Sequence, residues 1–125
     1  MLVLFDSKTG NVKRFVQKLG LPSVQVRPGL LAHEPFVLVT HTTGFGQVPK
    51  STLDFLDQNH FFLQGVASSG NRNWGDNFAR AADILSDKYN VPILLKFELS
   101  GTKRDLEVFK ERMEQLCGTL SLTMS

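Results

Sequence analysis

Leu2-Val3-Leu4-Phe5-Asp6-Ser7-Lys8-Thr9-Gly10-Asn11-Val12 is the stretch that decides the fold. Four apolar residues in succession describe a short strand buried on both faces, not one with a wetted side. The run stops at Asp6-Ser7. Val12, Phe15, Val16 and Leu19 then fall at i, i+3, i+4 and i+7, the apolar stripe of an amphipathic helix. Gly20 closes that helix, and Pro22 follows just beyond it. A buried strand, a short polar turn carrying glycine, and a helix together open a parallel α/β arrangement.

The rest of the chain repeats the alternation. Val24 and Val26 mark a brief second strand, broken at Pro28-Gly29. Phe36 to Thr40 is a third strand, and Pro49 opens a helix whose apolar side holds Leu53, Phe55 and Leu56. Phe61 to Ala67 reads as a fourth strand. Phe78, Ala81, Ala82 and Leu85 restore the helical spacing, with Asp76 placed to cap that helix or begin its first turn. Pro92 to Phe97 is a fifth strand. Thr102 and Asp105 form a capping box for a last helix marked by Leu106, Phe109, Met113 and Leu116, and a loose tail is expected after Gly118. The order argues an α/β fold with a mostly parallel sheet and helices on both faces. Residues 27–35 are too few for a crossover with a full helix, so the second helix is expected to be reduced or absent.

With 125 residues, the expectation is one domain spanning 1–125. No apolar run approaches the roughly 20 residues of a membrane span, and no signal peptide is visible, which together with a single cysteine, Cys117, suits a cytoplasmic protein. A net charge of +2 is too small to argue nucleic-acid binding. His33, His41 and His60 lack metal-ligand spacing, and no site metal is expected. Asp6 with Lys96 or Lys103 suggests a phospho-receiver, but Thr40-His41 stands where such a domain needs its acceptor aspartate.

In an open parallel sheet, ligands sit beyond the carboxyl ends of the strands where strand order reverses. The loops there are residues 6–11, 41–48 and 68–76, the richest of the chain in Gly, Ser, Thr and Asn. The first suits an anion: Ser7 and Thr9 offer hydroxyls, Gly10 allows close approach, and the following helix presents free N–H groups. Helix capping by Ser7 and Thr9 is an equally good reading of that loop alone. It is neither a Walker loop nor G-x-G-x-x-G. Trp74, the sole tryptophan, and Phe45, between Gly44 and Gly46, lie in loops, where they are poorly placed for a core and well placed to stack on a flat ring. Gly44 or Gly46 also admits a peptide that turns over when the ring gains a proton.

Ser7-Lys8-Thr9-Gly10-Asn11 resembles the phosphate loop of flavodoxins. Ser69-Gly70-Asn71-Arg72-Asn73-Trp74-Gly75-Asp76-Asn77-Phe78 resembles a segment of the NrdI family, the flavodoxin-like proteins that serve class Ib ribonucleotide reductase, and Thr42-Thr43-Gly44-Phe45-Gly46 with Val48-Pro49 points the same way. The resemblance implies a flavodoxin-like, doubly wound five-stranded sheet of order 2-1-3-4-5 and one bound FMN. Ser7, Lys8, Thr9, Gly10 and Asn11 would hold its phosphate. Thr42, Thr43, Gly44, Phe45 and Gly46 would line one side of the isoalloxazine. Ser69, Gly70, Asn71, Asn73, Trp74, Gly75 and Asp76 would line the other. The flavin, not a side chain, would carry the chemistry. Fed by an unidentified reductant, it would reduce O2 to superoxide, which oxidises the dimanganese site of the small subunit NrdF so that the tyrosyl radical forms. Phe45, Arg72, Asn73 and Trp74 would touch that partner. Val12 stands where common flavodoxins often have a threonine, which puts one phosphate hydroxyl in question.

Charge bears on the flavin. Common flavodoxins surround the ring with carboxylates, whereas the 41–48 loop has none and the 68–76 loop sets Arg72 against Asp76. One unit charge at about 8 Å is worth roughly 2 kcal/mol at an effective dielectric near 20. For a one-electron couple that is about 90 mV. The two one-electron steps are therefore expected to lie closer together than in an acidic flavodoxin. The alternatives are a general flavodoxin-type electron carrier and a flavin-free binding module.

Overall fold

The apolar opening forms β1 (Leu2–Phe5), and the stripe after it forms α1 (Asn11–Leu19). After them come β2 (Ser23–Gln25), β3 (Phe36–His41), α2 (Lys50–Asn59), β4 (Leu63–Gly70), α3 (Arg80–Tyr89), β5 (Ile93–Glu98) and α4 (Lys103–Met124). The structure, a computed structural model, describes residues 1–124, with side chains described through Gly118. All neighbouring strands pair in parallel, in the order β2-β1-β3-β4-β5. None of the described helices is long and apolar enough to cross a membrane.

Alternation along the central strands feeds two cores. Val3, Phe5, Val37 and Val39 face α1 and α4, while Leu4, Phe36 and Leu38 face α2 and α3. On the first face Phe15 stacks on Phe97, centroids 4.2 Å apart, and meets Phe109 edge-on at 5.6 Å. On the second, Phe36 meets Phe55 at 5.8 Å. Helices therefore cover both faces, and the carboxyl edge is left to loops.

The expected loss of the second helix is observed: no helix lies between β2 and β3. Asn59, buried at the end of α2, holds the connection in its place. Its Oδ1 accepts from Ala32 N at 2.7 Å, and its Nδ2 donates to Leu30 O at 3.1 Å and Phe55 O at 2.9 Å. One side chain thus supplies backbone partners that a helix would have supplied internally.

Four local expectations differ from the structure. Phe61 and Phe62 do not open β4; with His60 they form a 3-10 turn off α2, and Phe61 stacks on His60 at 4.4 Å. The strand instead continues through Ser68, Ser69 and Gly70, which pair with Lys96, Phe97 and Glu98. Phe78 lies outside α3, and Asp76 does not cap it, because hydroxyls from the strand ends take that place. The chain after Gly118 is not a loose tail: α4 runs on to Met124, since one glycine costs a helix only about 1 kcal/mol. Ser125 lies outside the described residues. The capping box is as expected, with Thr102 N donating to Asp105 Oδ2 (2.8 Å) and Asp105 N to Thr102 Oγ1 (3.1 Å).

Candidate functional site

Asp6 fixes the first loop. It is buried at the end of β1, and its Oδ2 accepts from Ser51 Oγ at 2.5 Å and Thr52 Oγ1 at 2.7 Å. Thr52 Oγ1 also lies 2.8 Å from Thr40 Oγ1, so the ends of β1 and β3 and the first turn of α2 share one hydroxyl network. The loop leaves this anchor and turns at Gly10, the N-cap of α1, whose φ of 91° suits glycine. No side chain caps the helix at that position. Ser7 Oγ accepts from Lys13 N at 3.3 Å, whereas Thr9 is exposed. Capping thus explains Ser7 in part and Thr9 not at all. Among the described residues, the N–H groups of Ser7, Lys8, Thr9 and Gly10 donate no hydrogen bond. Val12 is buried in the core and not turned to the loop.

The second loop is a pinned hairpin. Thr43 and Gln47 exchange two backbone hydrogen bonds of 2.8 Å each, leaving Gly44-Phe45-Gly46 at the tip. Gly44 and Gly46 have φ of 56° and 105°. Phe45 between them is 88% exposed.

The third loop folds as a 3-10 segment over Arg72–Asn77, kinked at Gly75 (φ 55°, ψ −121°). Asn71 Oδ1 accepts from Asn73 N at 2.9 Å and starts the turn. Gly70 serves packing, since a Cβ there would stand 2.3 Å from Ala79 N. Hydroxyls from the strand ends, not Asp76, satisfy the start of α3. Ser68 Oγ donates to Ala79 O (2.7 Å) and accepts from Ala82 N (3.1 Å), and Thr42 Oγ1 accepts from Ala81 N (3.3 Å). Thr42 N also donates to Ser69 O at 3.0 Å. Thr42 and Ser69 therefore frame the two loops.

Trp74, 38% exposed, meets Phe45 with centroids 6.3 Å apart and planes tilted by 38°. Two stacking layers need about 7–8 Å. The gap between the two rings as they stand is therefore too small to admit a flat ring between them. Asn73, Gly75 and Asp76 are exposed along the same rim. Arg72 lies with its guanidinium 4.8 Å from the Phe78 ring centroid, and its backbone N–H donates to Glu98 Oε2 at 2.9 Å. Sequence reasoning missed Glu98, a carboxylate from the end of β5 that reaches the third loop. Nothing in the local pattern of a strand's last residue signals a contact 26 positions away.

The arrangement fits a phosphorylated flat ligand: a glycine-turned loop with undirected N–H donors and an exposed hydroxyl, flanked by two loops that present aromatic faces and glycine backbone. The description "NrdI Flavodoxin like" fits residues 3–111. The chain belongs to the NrdI flavodoxin-like family. Its members are flavodoxin-like flavoproteins that bind FMN. The chain is 53% identical over 123 residues to Protein NrdI of Bacillus licheniformis, covering 98% of this chain and 94% of that one. Among solved structures it is similar to oxidised flavodoxin 1 of Bacillus cereus, with TM-score 0.72, 19% identity and coverage of 94% and 96%. It is also similar to the flavodoxin of Streptococcus pneumoniae TIGR4, with TM-score 0.69, 23% identity and coverage of 94% and 97%. These two likenesses concern the fold alone.

Proposed function

We propose that this NrdI-family chain holds one FMN against the three loops and serves class Ib ribonucleotide reductase by handing an oxidant to its small subunit, NrdF. The observation that carries the reading is a juxtaposition. The NrdI-like segment Ser69–Phe78 folds so that Trp74 meets Phe45 at the same sheet edge as the open Ser7–Asn11 loop. When bound, FMN supplies one-electron reduction of O2 to superoxide, which oxidises the dimanganese site of NrdF.

The chain's own residues bind, orient and present. Ser7, Thr9 and Asn11, with the N–H groups around Lys8 and Gly10, hold the phosphate in the positive end of α1. Gly44 and Gly46 offer backbone groups to the ring edge, and Thr43, bonded through its backbone to Gln47, keeps the hairpin in register. Asn71 and Gly75 shape the turn that carries Trp74. Asn73 and Asp76 lie along its rim. Phe45 stands out from the rim with Trp74, Arg72 and Asn73 nearby, a surface for NrdF to cover so that the oxidant passes without release.

The test is assembly of the radical. The FMN-loaded, reduced protein is mixed with manganese-loaded NrdF, O2 is admitted, and the tyrosyl radical is read by electron paramagnetic resonance. Radical that needs both this chain and O2 is the expected outcome. No radical, from protein that reduces O2 and exchanges electrons with unrelated acceptors, would instead make it a general electron carrier.

A further inference from the structure

Arg14 stands one turn into α1 on an exposed position, and its side chain folds back toward the helix start, the direction helical side chains favour. Its Nη2 donates to Asn11 Oδ1 at 2.5 Å. Its Nη1 lies 3.2 Å from the point where a Cβ on Gly10 would stand. The guanidinium thus hangs over the glycine that turns the Ser7–Asn11 loop. Among the described residues no carboxylate pairs with it; the ion pairs are Lys96 with Asp83 and Arg104 with Glu107. Only one of its five N–H donors is engaged. A neutral, half-buried Asn is a weak partner for so rotamer-rich a side chain. The position makes chemical sense if a stronger acceptor occupies the loop.

We propose that Arg14 is a phosphate-anchoring residue that closes the Ser7–Asn11 loop from the helix side and selects FMN over unphosphorylated riboflavin. The inference rests on the FMN reading of that loop. Backbone N–H groups and hydroxyls give directional but neutral contacts. The guanidinium adds charge and a planar fork matched to two phosphate oxygens. Asn11 is the positioning residue that holds the fork over the loop. Gly10 has a second role here, since a side chain there would press on Nη1.

The experiment titrates FMN and riboflavin separately into apo-protein, reading flavin fluorescence at low and physiological salt. Wild type is compared with Arg14→Gln and Arg14→Lys. The expected result is a loss of FMN affinity of about ten- to a hundredfold in Arg14→Gln, the range for a hydrogen bond to a charged group. Riboflavin affinity should change less than about twofold, which also shows that the variant is folded. Arg14→Lys should recover part of the FMN affinity, because charge remains and the fork is lost. Salt should weaken FMN binding more in wild type than in Arg14→Gln. Equal losses for both flavins, or unchanged FMN affinity, would overturn the role of Arg14. Wild type that takes up neither flavin would overturn the FMN reading itself, a result distinguishable from the other two.

Discussion

Gly70 has no room for a side chain, and this shows how tightly the third loop is built on the sheet. Gly70→Ala sets a methyl 2.3 Å from Ala79 N, so backbone must move. A loss of about 2–3 kcal/mol is expected in urea unfolding, at the upper end for an overpacked site, with weaker FMN uptake because the third loop shifts. Asp6 gives the complementary case. Removing its carboxylate in Asp6→Ala leaves the Ser51 and Thr52 hydroxyls without their acceptor, at a cost of about 1–3 kcal/mol. Asp6→Asn keeps one acceptor oxygen and should cost less, and chemical denaturation of the two variants side by side checks the order. At this scale the sequence was legible for residue type and not for partner. The Ser7-Lys8-Thr9-Gly10-Asn11 pattern reads as an anion loop, and its N–H groups from Ser7 to Gly10 find no acceptor among the described residues. That Asp6 is held by the start of α2, or that Glu98 reaches Arg72, depends on contacts between segments far apart in the chain.

Elements carry the next pair of expectations. The 43–47 hairpin is held by two backbone bonds and two left-handed glycines at its tip. Gly44→Ala at φ 56°, with its Cβ 2.8 Å from Gln47 Oε1, should cost roughly 1 kcal/mol of stability by the strain of the left-handed region. Its larger effect should be on the flavin potentials, because Gly44 is one of the two glycines, with Gly46, at which a peptide is proposed to turn over with the redox state. Matching oxidised and reduced structures with one unchanged peptide orientation would contradict that role. Asn59→Ala removes three hydrogen bonds from the connection that replaces a helix. It should cost about 2–3 kcal/mol. Hydrogen exchange should show the Ala32 amide opening ahead of the global transition. The missing helix was readable because the short 27–35 segment cannot make a full crossover, whereas its replacement by one buried Asn side chain was not. The start of α3 was misread for a related reason. Asp76 has the right chemistry for a cap, but Ser68 and Thr42 arrive from the strand ends and leave it nothing to do.

For the whole molecule, the five apolar runs and the helical stripes between them carried the layered α/β class. Strand order 2-1-3-4-5 came with the family likeness, since periodicity alone does not rank strands. On the proposed FMN reading, the charge at the carboxyl edge sets how easily the flavin takes its second electron. The second loop carries no carboxylate, the third carries Asp76 and Arg72, and the end of β5 adds one more carboxylate, Glu98, whose partner is the neutral Arg72 backbone N–H. Fewer fixed negative charges ease addition of the second electron, by up to about 90 mV for each charge removed at roughly 8 Å. The measurement to make is an anaerobic reductive titration of the purified protein followed by visible absorbance. One FMN per chain, bleaching fully with little accumulation of the one-electron-reduced form, is the expected result. A chain that takes up no FMN would contradict the cleft itself, and one whose two steps are separated by several hundred millivolts would contradict the charge reading on which the NrdI-type role depends.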